Sequence, residues 1–168
     1  MPTLLSWWLY RMSMNMINNS FQIGFDYVGI STPFYCIDEK GRLLLHKRTQ
    51  NCRDEHDRWD TGSGKLEFGS TLEENVLREV VEEYGCHGEI ICTLPTHSIL
   101  RSWENRPTHW LAVPFFVRVN QLEVKNNEPE KISDMGWFTL NTLPSPLHSG
   151  FAYTLSKFRV EFEKLILK

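Results

Sequence analysis

The feature that most constrains the fold is a glycine-containing loop that runs directly into an amphipathic helix, in the stretch GKLEFGSTLEENVLREVVEEYGC, residues 64–86. Thr71, followed three residues later by Glu74, has the pattern of a capping box and predicts that a helix begins there. Gly85 predicts its C-terminal end. Apolar side chains at every fourth position predict one buried face. They are Leu72, Val76, Val80 and Tyr84.

Three glutamates share one side of this predicted helix. At about 100° per residue, Glu79, Glu82 and Glu83 fall within an arc of roughly 100° beside the apolar stripe. Like charges at this spacing repel by a few tenths of a kcal/mol per pair, and Arg78 offsets only part of that. A divalent cation would remove the repulsion, and carboxylate oxygens suit Mg²⁺ or Mn²⁺. The alternative is a set of solvated glutamates on the helix surface.

The rest of the chain predicts an α+β fold with a mixed sheet, a central helix and a terminal one. Residues 25–37 and 43–48 read as a hairpin around the turn residues 38–41. Further strand-like segments follow the helix, and Pro114 places part of one at an edge or a bulge. These segments are 89–94, 97–103, 108–120 and 136–140. Residues 151–167 predict one closing amphipathic helix.

Length and composition bound the class of protein. A chain of 168 residues suits one domain. A net charge of −3 gives no strong attraction to nucleic acid or to an anionic membrane, so neither partner is expected. The four cysteines form no C-x-x-C pair, which favours free thiols in a reducing cytoplasm over a zinc or redox site.

Residues 1–20 form an N-terminal extension that begins with an apolar run. The run lacks a basic start and is too short to span a bilayer. Packing on the core, a homodimer contact and a disordered extension all stay open. Trp7 and Trp8 favour packing because exposed tryptophans are costly.

The helix and the loop before it resemble the Nudix box, G-x5-E-x7-R-E-U-x-E-E-x-G-U, where U is aliphatic. Most fixed positions match, and Cys86 is a borderline aliphatic residue. The matching residues are Gly64, Arg78, Glu79, Val80, Glu82, Glu83 and Gly85. Ser70 departs, because the family has glutamate there. The resemblance implies a single Nudix domain at 21–168 with a Nudix-type α/β/α sandwich.

The resemblance also implies roles for the box residues. Glu79, Glu82 and Glu83 match the family's metal-binding glutamates, and Arg78 matches the arginine that orients them. Ser63 stands where the family commonly has a glycine whose carbonyl binds metal. A serine with positive φ would cost on the order of 1 kcal/mol there.

At Ser70, we expect the serine to act as a helix cap or turn former that leaves Arg78 less neutralised. Because the direct metal ligands remain, the expected consequence is weakened but retained metal binding.

Residues outside the helix are candidates for the substrate and for the base. Arg48 ends a strand where relatives often place a phosphate-contacting arginine, and Lys65 follows the motif glycine. Glu82 and Glu83 are candidate general bases within the box, while Glu128 and Glu130 are candidates from a distant loop. Surface charge is the alternative reading for each residue outside the box. Four aromatic residues could stack on a base, although any one of them is also a candidate core residue. They are Phe34, Trp59, Trp103 and Trp110.

The function expected from this resemblance is Mg²⁺-dependent hydrolysis of a nucleoside diphosphate linked to another group. The first candidate substrate is a nucleoside triphosphate, cleaved to the monophosphate and pyrophosphate. An ADP-ribose or dinucleotide pyrophosphatase is the alternative within the enzymes. A nucleotide-binding Nudix domain that does not cut its ligand is the alternative outside them, favoured by Ser63 and Ser70.

Overall fold

A computed structural model describes residues 21–166, so the N-terminal extension at 1–20 lies outside the described residues. The strands in the described part are β1 Gly29–Ile37, β2 Leu43–Arg48, β3 Trp59–Asp60, β4 Gly62–Lys65, β5 Gly88–Thr93, β6 His97–Trp103, β7 Arg106–Ala112, β8 Phe115–Val119 and β9 Ile132–Phe138. The helices in that part are α1 Leu72–Tyr84, α2 Ser149–Lys157 and α3 Arg159–Leu165. None of the helices in residues 21–166 is long and apolar enough to cross a membrane.

Strand β1 is the centre of the mixed sheet. Its first half pairs parallel with β7 and antiparallel with β4. Its second half pairs parallel with β8 and meets β2 in the predicted hairpin, where Ile37 lies opposite Leu43. Strand β4, which carries the motif glycine, is therefore fixed against the central strand of the sheet.

Successive residues of β1 point to opposite faces of the sheet, and each face has its own core. Phe34 and Cys36 pack in the cluster that contains the apolar stripe of α1. Tyr35 and Ile37 pack in the cluster that contains Phe162 and the rest of the C-terminal helical region. The sheet thus lies between α1 and the C-terminal helices, which confirms the α/β/α sandwich.

Helix α1 begins and ends where the sequence predicts. The Thr71 hydroxyl accepts from the Glu74 N–H at 3.2 Å, and the Glu74 carboxylate accepts from the Thr71 N–H at 2.9 Å. Gly85 adopts the left-handed conformation with φ 59° and donates its N–H to the Val81 carbonyl. These contacts fix the helix axis and the rotation of its acidic side chains.

Two predicted elements are each divided. The segment 108–120 forms β7 and β8, interrupted at Val113 and Pro114, and both halves pair with β1 rather than forming an edge. The prediction of one C-terminal helix over 151–167 is wrong, because Phe158, with φ −118° and ψ 34°, separates α2 from α3. Burial of the Phe158 side chain holds this break in place.

The capping box gives a direct test of what stabilises α1. Thr71→Ala should lower the free energy of unfolding by about 1 kcal/mol, because it removes the acceptor for the Glu74 N–H. Thr71→Ser keeps that oxygen and should stay close to wild type. Urea denaturation of the three proteins measures the difference, and equal midpoints for Thr71→Ala and wild type would contradict this role.

Candidate active site

The site is built where α1 lies across strand β4. A Cβ atom added at Gly64 would meet the Glu79 side chain at 2.3 Å, and one added at Gly62 would meet the Glu83 Oε2 atom at 2.8 Å. Neither glycine has positive φ, so both are needed for space. The two carboxylates therefore rest directly on the backbone of the loop that the sequence singled out.

Glu83 has a carboxylate that is buried but only partly hydrogen-bonded. Its Oε1 atom accepts from the Ser63 N–H at 3.4 Å, while its Oε2 atom is buried and has no hydrogen-bond partner among the described residues. Burial raises the pKa of Glu83 well above its usual range, and the charges of Glu128, Glu79 and Asp60 add to the increase. A buried acceptor without a partner is costly, and Glu83 lines a cavity of about 200 Å³, so this atom is suited to binding a cation there.

Glu79 shares the same environment to a lesser degree. Its side chain is largely covered, and its Oε1 atom lies 3.3 Å from the Arg78 guanidinium. Burial raises the pKa of Glu79, and Arg78 counteracts the increase only in part. Two neighbouring carboxylates with raised pKa values are typical of a functional site, because a bound cation would stabilise the charged form of both.

Glu82 faces outward. Its side chain is 49% exposed and pairs with Arg78 at 3.1 Å. Within residues 21–166, no three Asp, Glu, His or Cys side chains already converge closely enough to hold a metal ion. Carboxylates that repel one another and have an arginine to pair with turn apart in this way. The metal ligand set predicted from the sequence stays a prediction, and the donor chemistry of Glu79, Glu83 and the loop fits a hard cation.

The two departures from the motif have different outcomes. Ser63 has no positive φ, so serine is accommodated there without backbone strain. Of the two roles expected for Ser70, the helix cap is wrong, because Thr71 is the cap, whereas the Ser70 backbone N–H does close a turn onto the Glu67 carbonyl at 3.2 Å. Arg78 is also not left without partners, since its guanidinium contacts Asn75 at 2.7 Å in addition to nearby carboxylates.

The four residues proposed for substrate contact differ in their surroundings. Arg48 is already paired with Asp54 at 2.9 Å and Asp60 at 3.2 Å, and its side chain is only 16% exposed. Glu128 lines a smaller cavity beside Glu83 and pairs with Lys131 at 2.7 Å. Arg48 therefore shapes the site more readily than it meets a phosphate.

Lys65 lines a cavity within residues 21–166, whereas Glu130 does not. Lys65 is exposed at the wall of a cavity next to the glycine loop, here called the main cavity. Its ammonium forms no hydrogen bond or ion pair with another described residue, so it is available to an anion. Glu130 lines none of the three cavities found in the described part of the chain. Its substrate role stays a prediction.

Sequence reasoning missed a cavity of about 320 Å³ that adjoins the glycine loop. It runs from Ser63, Gly64 and Lys65 to an apolar wall that includes Ile99 and Trp110. Of the four aromatics proposed to stack on a base, Trp110 lines this cavity, whereas Phe34 is fully buried and Trp59 packs on Phe138. Trp103 lines a separate cavity next to Arg101.

The floor of the main cavity is a set of ion pairs that join the loop after β2 to β6 and to the start of α2. Arg101 contacts Asp54 at 3.0 Å, and His148 lies 3.3 Å from Asp60. Burial opposes ionisation of Asp54, but His148 and three arginines hold its pKa below the usual range. The alternating acids and bases of residues 53–58 were the only sequence signal for this network.

Comparison with known proteins agrees with this geometry. The sequence model of the NUDIX domain matches residues 30–158. The chain is 28% identical to the 8-oxo-dGDP phosphatase NUDT18 of Homo sapiens over 109 residues, which are 64% of this chain and 31% of that protein. It spans about a third of the length of the curated relatives it matches.

Solved structures show the same fold. A MutT NUDIX hydrolase from Burkholderia pseudomallei superposes with a TM-score of 0.68 at 26% identity, over 79% of this chain and 98% of that one. A MutT protein from Methanosarcina mazei superposes with a TM-score of 0.66 at 24% identity, over 81% and 96% of the two chains. The carboxylates packed on glycines and the α/β/α sandwich agree with the NUDIX domain that the sequence matches. The chain belongs to the NUDIX family.

The buried carboxylate predicts how stability depends on pH without metal. Because the folded-state pKa of Glu83 is raised above the ordinary value of 4.5, the folded protein holds a proton that the unfolded chain releases. This contribution to stability is present below pH 4.5 and is lost as pH rises toward the folded-state pKa. Glu83→Gln should therefore be more stable than wild type at pH 7 in chelator, by about 1–3 kcal/mol.

Chemical denaturation of wild type and Glu83→Gln at pH 4 and pH 7 measures this difference. Glu82→Gln is the matched control, because its side chain is largely exposed and should change stability little. A Glu83→Gln protein that loses stability at pH 7 in chelator would contradict the assigned environment.

Proposed function

We propose that this chain is a metal-dependent pyrophosphohydrolase that cleaves a nucleoside diphosphate linked to another group. A nucleoside triphosphate is the first candidate substrate, with the monophosphate and pyrophosphate as products. The observation that carries the proposal is the Glu83 carboxylate, held over Gly62 and Ser63 with one buried oxygen unpartnered. The family membership and the names of the matched hydrolases support it.

Mg²⁺, or Mn²⁺ in its place, would be held by Glu79, Glu82 and Glu83 with the carbonyl of Ser63. Bound there, it supplies charge neutralisation of the pyrophosphate and a bound water of lowered pKa. Arg78 orients the carboxylates through its contacts to Glu79 and Glu82. The chain itself thus contributes mainly positioning and electrostatic stabilisation, which are the main requirements of substitution at phosphorus.

The residues around the cavity bind the remainder of the substrate. Lys65 contacts the phosphates from the cavity wall, and Arg53 lies close to the Trp110 ring, with its guanidinium 5.9 Å from the ring centroid. The Trp110 indole rests on Gly24 and Gly29, which fixes the plane of the ring. A base entering the cavity would stack on this fixed surface.

The cavity has room for one nucleoside. At about 320 Å³ it lies at the small end of the range for small-molecule sites. A second cavity of about 550 Å³ shares Arg53, Asp54 and Arg101 with it, so the nucleotide screen decides between a nucleoside triphosphate and a dinucleotide. Glu82, which is half-exposed, is the candidate base inside the motif, and Glu128, which lines the cavity beside Glu83, is the candidate outside it.

A cytoplasmic location is part of the same proposal. Each of the four cysteines is free, which agrees with a reducing compartment. A homodimer is a further proposal that only the oligomeric state in solution can test.

The first test is a screen of nucleotides with and without Mg²⁺. The panel contains canonical nucleoside di- and triphosphates, their 8-oxoguanine forms, ADP-ribose and dinucleotides, with products identified by chromatography. The protein should hydrolyse at least one nucleoside phosphate, and only with metal. Glu82→Gln should lower kcat by about 100-fold or more.

Glu73→Gln is the matched control, because Glu73 is exposed in the first turn of the same helix. It should leave kcat unchanged. Activity that survives Glu82→Gln would refute the assignment of this carboxylate, while nucleotide binding without any hydrolysis would favour the non-catalytic alternative.

The stacking surface gives a separate prediction. Trp110→Ala should raise KM for the preferred nucleotide by about tenfold or more, because one stacked base is lost, and should change kcat less. Trp103→Ala removes a tryptophan outside the main cavity and is the control. Equal KM values for the two variants would show that the base does not lie on Trp110.

A further inference from the structure

A buried chain of hydrogen bonds connects Arg78 to the backbone of the glycine loop. The Arg78 guanidinium donates to the Asn75 Oδ1 atom at 2.7 Å. The Asn75 amide group donates to the Thr32 hydroxyl at 2.9 Å, and that hydroxyl donates to the Gly64 carbonyl at 3.4 Å. The helix arginine is therefore joined to the motif glycine through two side chains.

Asn75 also holds the far end of the loop. Its Oδ1 atom accepts a second hydrogen bond from the Glu67 N–H at 3.3 Å. Asn75 and Thr32 are both fully buried, with 0% exposure. A buried amide is stable only where its donors and acceptors are paired, so the protein holds this network in one arrangement.

Ser70 stands where the motif has glutamate, and it does not contribute to this network. Its hydroxyl has no hydrogen bond to any residue in the described range 21–166, and its backbone N–H merely closes a turn onto the Glu67 carbonyl at 3.2 Å. The contact of Arg78 with Asn75 is shorter than its contacts with Glu82, at 3.1 Å, and Glu79, at 3.3 Å. The closest partner of the arginine is thus a residue that the motif does not specify.

We propose that Asn75 is a positioning residue that replaces the missing motif glutamate as the anchor of Arg78. Because Asn75 is fully buried, it reaches the Arg78 guanidinium from the core side of the loop–helix junction. The same amide braces the loop through Thr32 and through the Glu67 N–H. This inference rests on the proposed function for its catalytic consequence, although the anchoring itself does not need a substrate.

The anchoring is tested first on the protein without metal or substrate. The ¹⁵N signal of the Arg78 guanidinium, assigned by comparison with Arg78→Lys, reports how freely that group rotates. Rotation should be slow in wild type and in Asn75→Asp, which keeps the acceptor oxygen, and fast in Asn75→Ala. Equally slow rotation in Asn75→Ala would overturn the proposal, whether or not the protein hydrolyses a nucleotide.

The consequence for the site is tested by metal binding and kinetics. Asn75→Ala should weaken Mn²⁺ binding, measured as free Mn²⁺ by electron paramagnetic resonance, and should lower kcat by about tenfold or more with little change in KM. Asn75→Asp keeps the acceptor oxygen for Arg78 but loses the amide N–H that donates to Thr32, so its losses of Mn²⁺ affinity and of kcat should be smaller than those of Asn75→Ala. A folded Asn75→Ala protein with wild-type Mn²⁺ affinity and kcat, or equal losses in both variants, would overturn the positioning role.

Thr32 provides a second pair in case Asn75→Ala does not fold. Thr32→Val has nearly the same shape but lacks the hydroxyl that joins Asn75 to the Gly64 carbonyl, so kcat should fall while KM stays similar. Thr32→Ser keeps the hydroxyl and should restore kcat. A Thr32→Val enzyme as active as Thr32→Ser would overturn the bracing of the loop.

The replacement of the glutamate is tested by combining two changes. Ser70→Glu should raise kcat much more in the Asn75→Ala background than in wild type, because only the former lacks an anchor for Arg78. Equal effects in the two backgrounds would show that residues 70 and 75 act independently. If wild type itself hydrolyses nothing in the nucleotide screen while the guanidinium signals behave as expected, the proposed function fails and the anchor stands.

Discussion

The close packing of two carboxylates on two glycines is the contact on which the rest of the site depends. Glu79 lies on Gly64 and Glu83 lies on Gly62, with no room for a side chain at either glycine. Burial of the apolar face of α1 offsets the cost of burying these carboxylates, because Val76, Val80 and Tyr84 are fully buried beneath the acidic residues. The helix cannot turn its acids to solvent without exposing its core face.

The same packing explains why the loop is rigid enough to form a site. Strand β4 is hydrogen-bonded to the central strand β1, where Thr32 lies opposite Gly64 and Pro33 opposite Ser63. Asn75 then joins this backbone to Arg78 from the buried side. Loop, helix and arginine form one unit, and a ligand would meet carboxylates whose positions are already restricted.

The cavity that adjoins this unit depends on long-range ion pairs. Asp54 comes from the loop after β2, Arg101 from β6 and His148 from the start of α2. Their charges compensate one another inside the domain, so the loop is held against the sheet instead of extending into solvent. Such a network fixes geometry more reliably than it adds stability, because burying each charge has a cost.

The sequence was most informative where the relevant interactions are local. The start of α1 at Thr71, its end at Gly85 and its buried stripe all depend on neighbours within four residues, and all are confirmed. The break at Phe158 has no glycine or proline to announce it. Its side chain is buried in the core and lies against His97 of β6, a contact that the local sequence does not show. The sequence does not show the ion pairs of Arg48, because Asp54 and Asp60 approach it only in the folded chain.

The choice among the aromatic residues shows the same limit. Phe34 and Trp110 both lie in strands, yet one is core and the other lines a cavity. Each ring lies against glycine backbone, Phe34 against Gly62 and Trp110 against Gly24 and Gly29, so only the folded chain decides which ring is covered. Likewise, the role of Asn75 could not be read from the motif, because the contacts that define it cross from α1 to β1 and to the loop.

The most direct test of this account is a crystal structure of the protein soaked in Mn²⁺, with anomalous diffraction used to locate the ion. The account predicts an anomalous peak over the Gly62–Gly64 loop, with the Glu83 Oε2 atom among its ligands and Glu79 beside it. A well-ordered structure in which Glu79, Glu82 and Glu83 point apart, with no peak between them, would contradict it.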